Sequence, residues 1–449
     1  MSVPMKTLTI SETQFQIVDA YMRDLIVTPE MFGAKGDGST DDTTAFRNAV
    51  SHGGMIVCER NKTYKVDSGY LYTPANTTID LNGSTIVSGV ANLFLNLDDN
   101  TQVPTGYSGN GNIVIKKGTI VGGEVLLAHG ENIELNGIDF LNSRGGHFVQ
   151  IMSCKRVRIL NCKFKGLSAT STTEHINLDM CYQGHFGLWP EGSPAYDDTN
   201  NDNIEVAGCV FELGTGDYAN MNDALCAHSH AMAVNSDNHL FHNNVRIHDN
   251  VIINAEEYGI RIQDCHYSQV YNNYVYLTDT STYPIAIGFG IGNTIRDNYF
   301  HRATAGSNAR TVYVLRAEEG LSYYNNVHDG YNGIAWLHDV NNYGVTFDLL
   351  GERLALFNGT ESSGTTVSLT YPITNFNHVK LSFGAVNSGN LFSVDVYGYA
   401  GAFTAGKSYA LTFDSDTKYM TIGSDGTTVT ITGVSLSLRS IYGTREQHT

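Results

Sequence analysis

Carboxylates, histidines and aromatic residues crowd into two stretches of this chain. The first is Glu174-His-Ile-Asn-Leu-Asp179, followed by Tyr182, His185, Phe186 and Trp189. The second is Asn222-Asp-Ala-Leu-Cys-Ala-His-Ser-His230. Two carboxyl groups on one surface can cleave a glycosidic bond, one as acid and the other as base or nucleophile. Elimination needs instead a base that removes the proton beside a uronate carboxyl, and a cation to hold the resulting anion. Asp179, Asp223 and Glu174 are the candidate catalytic groups. His175, His228, His230 and Arg261 are candidate substrate contacts. Tyr182, His185, Trp189 and Tyr258 offer flat amphipathic rings of the kind that stack on sugars. Seven of the sixteen histidines fall between 175 and 248.

A strand would order these groups. Alternation puts Glu174, Ile176 and Leu178 on one face and His175, Asn177 and Asp179 on the other. With the aliphatic pair inside, the expectation is an exposed row of His175, Asn177 and Asp179, with Glu174 inward unless it lies at a corner. A metal reading is weaker. Cys226-x-His228-x-His230 lacks a second ligand pair, so no metal is assigned. Asp197, Asp198 and Asp202 could hold Ca²⁺, but neither chemistry requires a cofactor.

The elements that carry these residues repeat. Asn161-Cys-Lys-Phe164, Gly208-Cys-Val-Phe211, Asp249-Asn-Val-Ile252, Asn272-Asn-Tyr-Val275 and Asp297-Asn-Tyr-Phe300 share one pattern. Gly137-Ile-Asp-Phe140 precedes them and Asn325-Asn-Val-His328 follows. The spacings from Phe140 are 24, 47, 41, 23, 25 and 28 residues. A period in the mid-twenties fits one coil of a parallel β-helix, whose apolar residues stack on their equivalents above and below. The two long intervals carry surplus residues, and surplus in a solenoid goes into loops, often on the binding face. Both chemical stretches lie in those intervals.

Composition agrees. The chain has 449 residues, 41% of them apolar and 16% charged, with 46 Gly, 26 Tyr and only 8 Pro. Short strands and tight turns suit that mixture. The net charge of −18 argues against nucleic acid. An anionic polymer would then need a local basic pocket. Seven scattered cysteines read as reduced, buried thiols. No apolar run reaches membrane-spanning length, and no signal peptide opens the chain.

The string Phe32-Gly-Ala-Lys-Gly-Asp-Gly-Ser-Thr-Asp-Asp-Thr-Thr-Ala-Phe-Arg-Asn-Ala-Val50 predicts a tight turn at Asp37. A short helix should follow, with Ala45, Phe46, Ala49 and Val50 on its apolar face. It closely resembles the opening signature of pectate-lyase-superfamily β-helices, where the helix caps the coil stack. That resemblance implies an all-β chain with a right-handed parallel β-helix, here over 31–344. Ahead of it, Phe15, Val18, Tyr21, Met22 and Leu25 stand near helical spacing, so residues 1–30 are expected to be a cap or attachment segment. Polygalacturonases share the β-helix, and Asn177-Leu-Asp179, Asn222-Asp223 and Arg261-Ile-Gln263 are similar to parts of their site. This carries over Asp179, Asp223 and Arg261. A Gly-His-Gly element is absent, and Gln263 stands where that family has Lys.

From about Val345 strand-like segments alternate with Gly/Ser/Thr turns, which predicts a β-sandwich over 345–449. Leu356 to Leu369 resembles C-terminal modules of phage tail proteins, implying trimerisation or receptor binding. The expectation is a phage tailspike-type depolymerase, made in a bacterial cytoplasm and carried on a virion tail. It would be a homotrimer, in contact with baseplate or tail proteins and with a bacterial surface polysaccharide. Hydrolysis is favoured. A uronate-directed lyase and a non-catalytic adhesin are the alternatives.

Overall fold

The computed structural model describes the chain from Ile26 onward, except 169–172, 183–187, 222, 228–239, 279–281, 304–310, 316–317, 330–336 and 339–344; beyond 347 it describes mainly strands. The chain divides into two compact units, Met1–Glu256 and Glu257–Thr449.

The first unit opens as the signature predicts. Asp37 accepts hydrogen bonds from the backbone N–H and hydroxyl groups of Ser39 and Thr40, which hold its carboxyl well below the usual range. Asp42 takes the N–H groups of Lys35 (2.6 Å) and Gly36 (3.0 Å). Gly36 has φ +58°, and a Cβ there would meet Lys62 Cβ at 2.9 Å. The helix Thr43–His52 follows and buries Ala45, Phe46, Ala49 and Val50. These acids build the turn ahead of the helix.

Parallel coils follow. Ile120, Phe140, Phe164, Phe211 and Ile252 are consecutive register partners. The three phenylalanine rings stack at 5.0 and 4.9 Å. All five residues are buried, and each large apolar side chain so placed stabilises by roughly 1.5–3 kcal/mol. The first residue of every repeat copy turns the corner with positive φ: Gly137 +64°, Asn161 +54°, Gly208 +66°, Asp249 +56°, Asn272 +54°, Asp297 +56° and Asn325 +55°. Gly and Asn tolerate that region best, which explains the repeat's composition.

A second parallel sheet of this unit consists of Leu71–Tyr72, Asn92–Leu95, Glu124–Ala128, Val149–Met152, Glu174–Asp179 and Asp223–Ala227 in that order. The seven cysteines of the chain are buried and none forms a disulfide.

In the second unit Val275, Phe300 and His328 continue the same repeat as register partners. Asn273 N–H donates to Asn298 Oδ1 and Asn298 N–H to Asn326 Oδ1, both at 3.0 Å, forming a buried amide ladder. Val345–Phe347, assigned above to the sandwich, pairs in parallel with Glu318–Tyr324. Antiparallel pairing begins only at Leu354. Leu354–Glu361, Ser437–Thr444, His378–Gly384 and Leu391–Tyr397 make one four-stranded sheet. Thr366–Ser368, Thr428–Thr432, Asp416–Ile422 and Ser408–Phe413 make the other. A strand's composition does not reveal the direction of its neighbour, so the boundary in sequence texture came a strand early. Residues 1–25 of the expected attachment segment lie outside the described residues. Among the described residues no helix is long and apolar enough to cross a membrane.

Candidate functional site

Three consecutive coils of the second sheet begin with one four-residue pattern: His147-Phe-Val-Gln150, Glu174-His-Ile-Asn177 and Asp223-Ala-Leu-Cys226. Alternation is broken at these strand starts. Residues two and three of each pattern are buried among apolar partners. Residues one and four gather on one face. Glu174 is the register partner of Asp223, and Asn177 of both Gln150 and Cys226. Glu174 Oε2 lies 3.4 Å from His147 Nδ1. The ligand atoms of Glu174, Asp223 and Cys226 all lie within 4.8 Å of one another. His147 Nδ1 is also 2.9 Å from the Glu174 carbonyl, and Asn177 Nδ2 lies 3.4 Å from His147 Nε2. With the Asn177 amide donating to Nε2, the ring proton sits on Nδ1 and faces Glu174.

Glu174 and His147 keep 8% and 10% side-chain exposure, while Asp223 is fully buried. One coil earlier, burial pushes the Glu124 carboxyl well above its usual range, opposed by the His147 backbone N–H. The cluster therefore offers two carboxyl groups close together in a low-dielectric setting, with an imidazole touching one of them. Glu174, Asp223 and Cys226 also have the spacing to hold a metal ion. The Ca²⁺ trio looks different: Asp197 accepts from Gly106 N–H and Asp202 pairs with Lys155 at 3.1 Å.

The structure brings Glu174 and Asp223 together but not Asp179. Asp179 is buried at the far end of the same strand, five residues or about 17 Å from Glu174 at ~3.3 Å per residue. Its Oδ1 accepts the Met180 N–H at 2.8 Å. The row of His175, Asn177 and Asp179, expected to be exposed, is buried, and Glu174, the first residue of the strand, takes the corner alternative to an inward position. His175 is fully buried, 5.1 Å from the Phe148 ring and near Phe164 and Phe211. Burial lowers its pKa to about 3. It is a neutral residue packed among aromatic rings. The physical reason is the local break in alternation, which sends His175 and Ile176 inward together.

Trp189 is also corrected. It is 4% exposed and packs with Leu95, Leu97, Leu126 and Met152. Its Nε1–H donates to the Gln102 carbonyl at 2.8 Å, so the ring plugs the outer side of the sheet and offers no face to a sugar. Tyr182 is half-buried, with its pKa raised by burial. His185, His228 and His230 lie outside the described residues. Arg261 and Tyr258 belong to the second unit, where the guanidinium sits 5.8 Å from the Tyr258 ring. Tyr258 is buried and stacks on Tyr313. The outward tyrosines of that unit stack in pairs, Tyr274 on Tyr299 at 5.4 Å and Tyr276 on His301 at 5.1 Å. The sequence reading missed His147 and Gln150. The shared four-residue pattern was the signal that pointed to them.

No family model matches the chain. A 45-residue segment is 53% identical to "Depolymerase 1, capsule KN3-specific" of Klebsiella phage KN3-1, covering 9% of this chain and 6% of that protein. The match therefore spans a small fraction of the relative's length. Among solved structures, PfbA, a surface adhesin of Streptococcus pneumoniae, aligns with a TM-score of 0.53 at 16% identity. That alignment covers 77% of this chain and 96% of PfbA. A tailspike protein mutant of E. coli bacteriophage HK620, in complex with a pentasaccharide, aligns with a TM-score of 0.47 at 11% identity over 95% and 94% of the two chains. By fold the chain is a parallel β-helix with a C-terminal antiparallel β-sandwich, and one short segment of it is similar to a phage capsule depolymerase.

Proposed function

We propose that the chain is a tailspike-type depolymerase that binds a bacterial surface polysaccharide and hydrolyses it, with Glu174 and Asp223 as the catalytic pair. The observation that carries this reading is the approach of their carboxyl oxygens to within 4.8 Å across neighbouring coils. Retaining glycosidases hold their carboxyl groups about 5–5.5 Å apart, whereas inverting enzymes leave roughly 6.5–9.5 Å for a water molecule. The spacing favours retention. Glu174, the more accessible carboxylate and the one facing the His147 N–H, attacks the anomeric carbon. Asp223 gives its proton to the departing sugar oxygen. Asp223 then takes a proton from water, which attacks the glycosyl–Glu174 ester and frees both product and carboxylate.

The short match to a capsule depolymerase supports a capsular substrate and a place on a virion tail. The sandwich supports assembly as a homotrimer, since stacked coils need their ends covered. The test is digestion of Klebsiella KN3 capsular polysaccharide and a panel of other surface glycans. New reducing ends that first appear with retained anomeric configuration would agree with the proposal. An unsaturated product would replace hydrolysis by elimination, and binding without cleavage would leave an adhesin. Light scattering tests the trimer, and a monomer mass at micromolar concentration would reject it.

A further inference from the structure

The other large sheet of the first unit carries a second constellation. Glu134, Arg158, Glu205 and Arg246 are consecutive register partners, so acid and base alternate over four coils. Arg158 bonds Glu134, and Arg246 lies 3.6 Å from Glu205. Beside this ladder runs a corner column whose residues all have positive φ: Asn112 +54°, Asn132 +58°, Arg156 +53°, Asn203 +59° and Asn244 +55°. Four of the five are Asn, the residue that tolerates this region best after Gly. Arg156 is the exception, held where an arginine is unfavourable, and an outlier of that kind motivates a functional reading.

Arg156 Nε donates to Asn132 Oδ1 at 2.6 Å and its Nη2 meets Glu131 at 2.5 Å. The ladder and the column flank an open groove of about 310 Å³, whose lining includes Arg156, Arg158, Arg246 and Glu134, with each arginine paired to one acid, Glu131, Glu134 or Glu205. The three arginine side chains are 38–55% exposed. Each guanidinium has five N–H donors and spends only some of them on these partners. On a chain of net charge −18, three exposed guanidinium groups with donors left over from their ion pairs give this groove bidentate geometry for carboxylates.

We propose that this groove is a second saccharide-binding site, specific for a chain bearing uronic-acid carboxylates. It rests on the reading of the protein as a glycan binder but not on the Glu174–Asp223 pair, which lies on a different sheet. The full chain is titrated calorimetrically with a glucuronic-acid hexamer and with neutral maltohexaose. The uronate should bind, more weakly as salt rises, and the neutral hexamer should not. Arg156→Asn restores the residue type of its column. It should match or exceed the parent's thermal stability while weakening uronate binding at least ~10-fold, as should Arg158→Ala. Glu174→Gln should bind the uronate as the parent does, so a failure of the catalytic reading leaves this result intact. Absence of uronate binding, equal binding of maltohexaose, or full affinity in both arginine variants would overturn the proposal. So would a change in oligomer mass at unchanged affinity, which would assign the groove to contacts between copies of the chain.

Discussion

Glu174 and Asp223, about fifty residues apart in sequence, are direct register partners on adjacent parallel strands, and both are buried. Like charges in a dry setting repel, so two acids that share such a position cost stability when both are ionised.

The catalytic assignment makes the first prediction. Glu174→Gln and Asp223→Asn should each lower the rate of glycan cleavage at least ~10²-fold, with unchanged circular dichroism. Asp179→Asn, at the other end of the strand, should stay within a few-fold of the parent. Reducing-end assays on a cleavable glycan read all three. A large loss in Asp179→Asn with full activity in the other two would move the site along the strand.

His175 supplies a pH signature. Its folded pKa of about 3 lies below the ordinary histidine value, so between about 6.5 and 3 the unfolded chain binds the extra proton. The stabilisation is fully present above about pH 6.5 and is lost as pH falls, by up to ~1.4 kcal/mol per pH unit. His175→Leu removes this dependence and is close in volume. In thermal melts between pH 7 and 4 the variant should lose less stability than the parent, and parallel curves would contradict the assignment.

Trp189 tests the difference between a packed ring and a binding platform. Trp189→Ala empties part of the cluster around Leu126 and Met152 and should cost ~3–5 kcal/mol in chemical denaturation. Per folded molecule, glycan affinity should change little. A stable variant with lost affinity would restore the stacking role.

The amide ladder should be brittle. Asn298 accepts from Asn273, and its own Nδ2 donates to the Val270 carbonyl at 3.0 Å. Asn298→Ala removes both hydrogen bonds, a loss of ~1–3 kcal/mol, visible as faster amide exchange along residues 270–300. Asn325→Gly, at an exposed corner of the same repeat with φ +55°, should be nearly neutral by comparison.

Much of the fold was legible in the residues. The repeat copies are spaced by the coil, and their apolar members Phe140, Phe164, Phe211 and Ile252 are the register partners that spacing implies. The turn at Asp37 and the helix face at Phe46 followed from local hydrogen bonding and amphipathicity alone. Most sandwich strands fall where turn residues bracket β-branched runs, although Val345–Phe347 went to the parallel stack. These features are local or periodic, and sequence order preserves both.

The site was legible only in part. Sequence placed Glu174 and Asp223 in the two period-breaking intervals, because surplus length is countable. It does not place His175, because the chain breaks alternation at that residue, nor Asp179 and Trp189, because their burial depends on what packs over the sheet. Whether a side chain faces solvent or core at a coil corner depends on backbone angles set by the neighbouring coils. The sequence by itself determined the coil period, the capping helix and the interval in which the acids lie. Tertiary structure alone decided that His147 joins Glu174, that His175 sits among phenylalanines and that Arg156 occupies a column of asparagines. Those contacts join residues a coil or more apart, and their geometry is set by register and corner conformation, which no local pattern encodes.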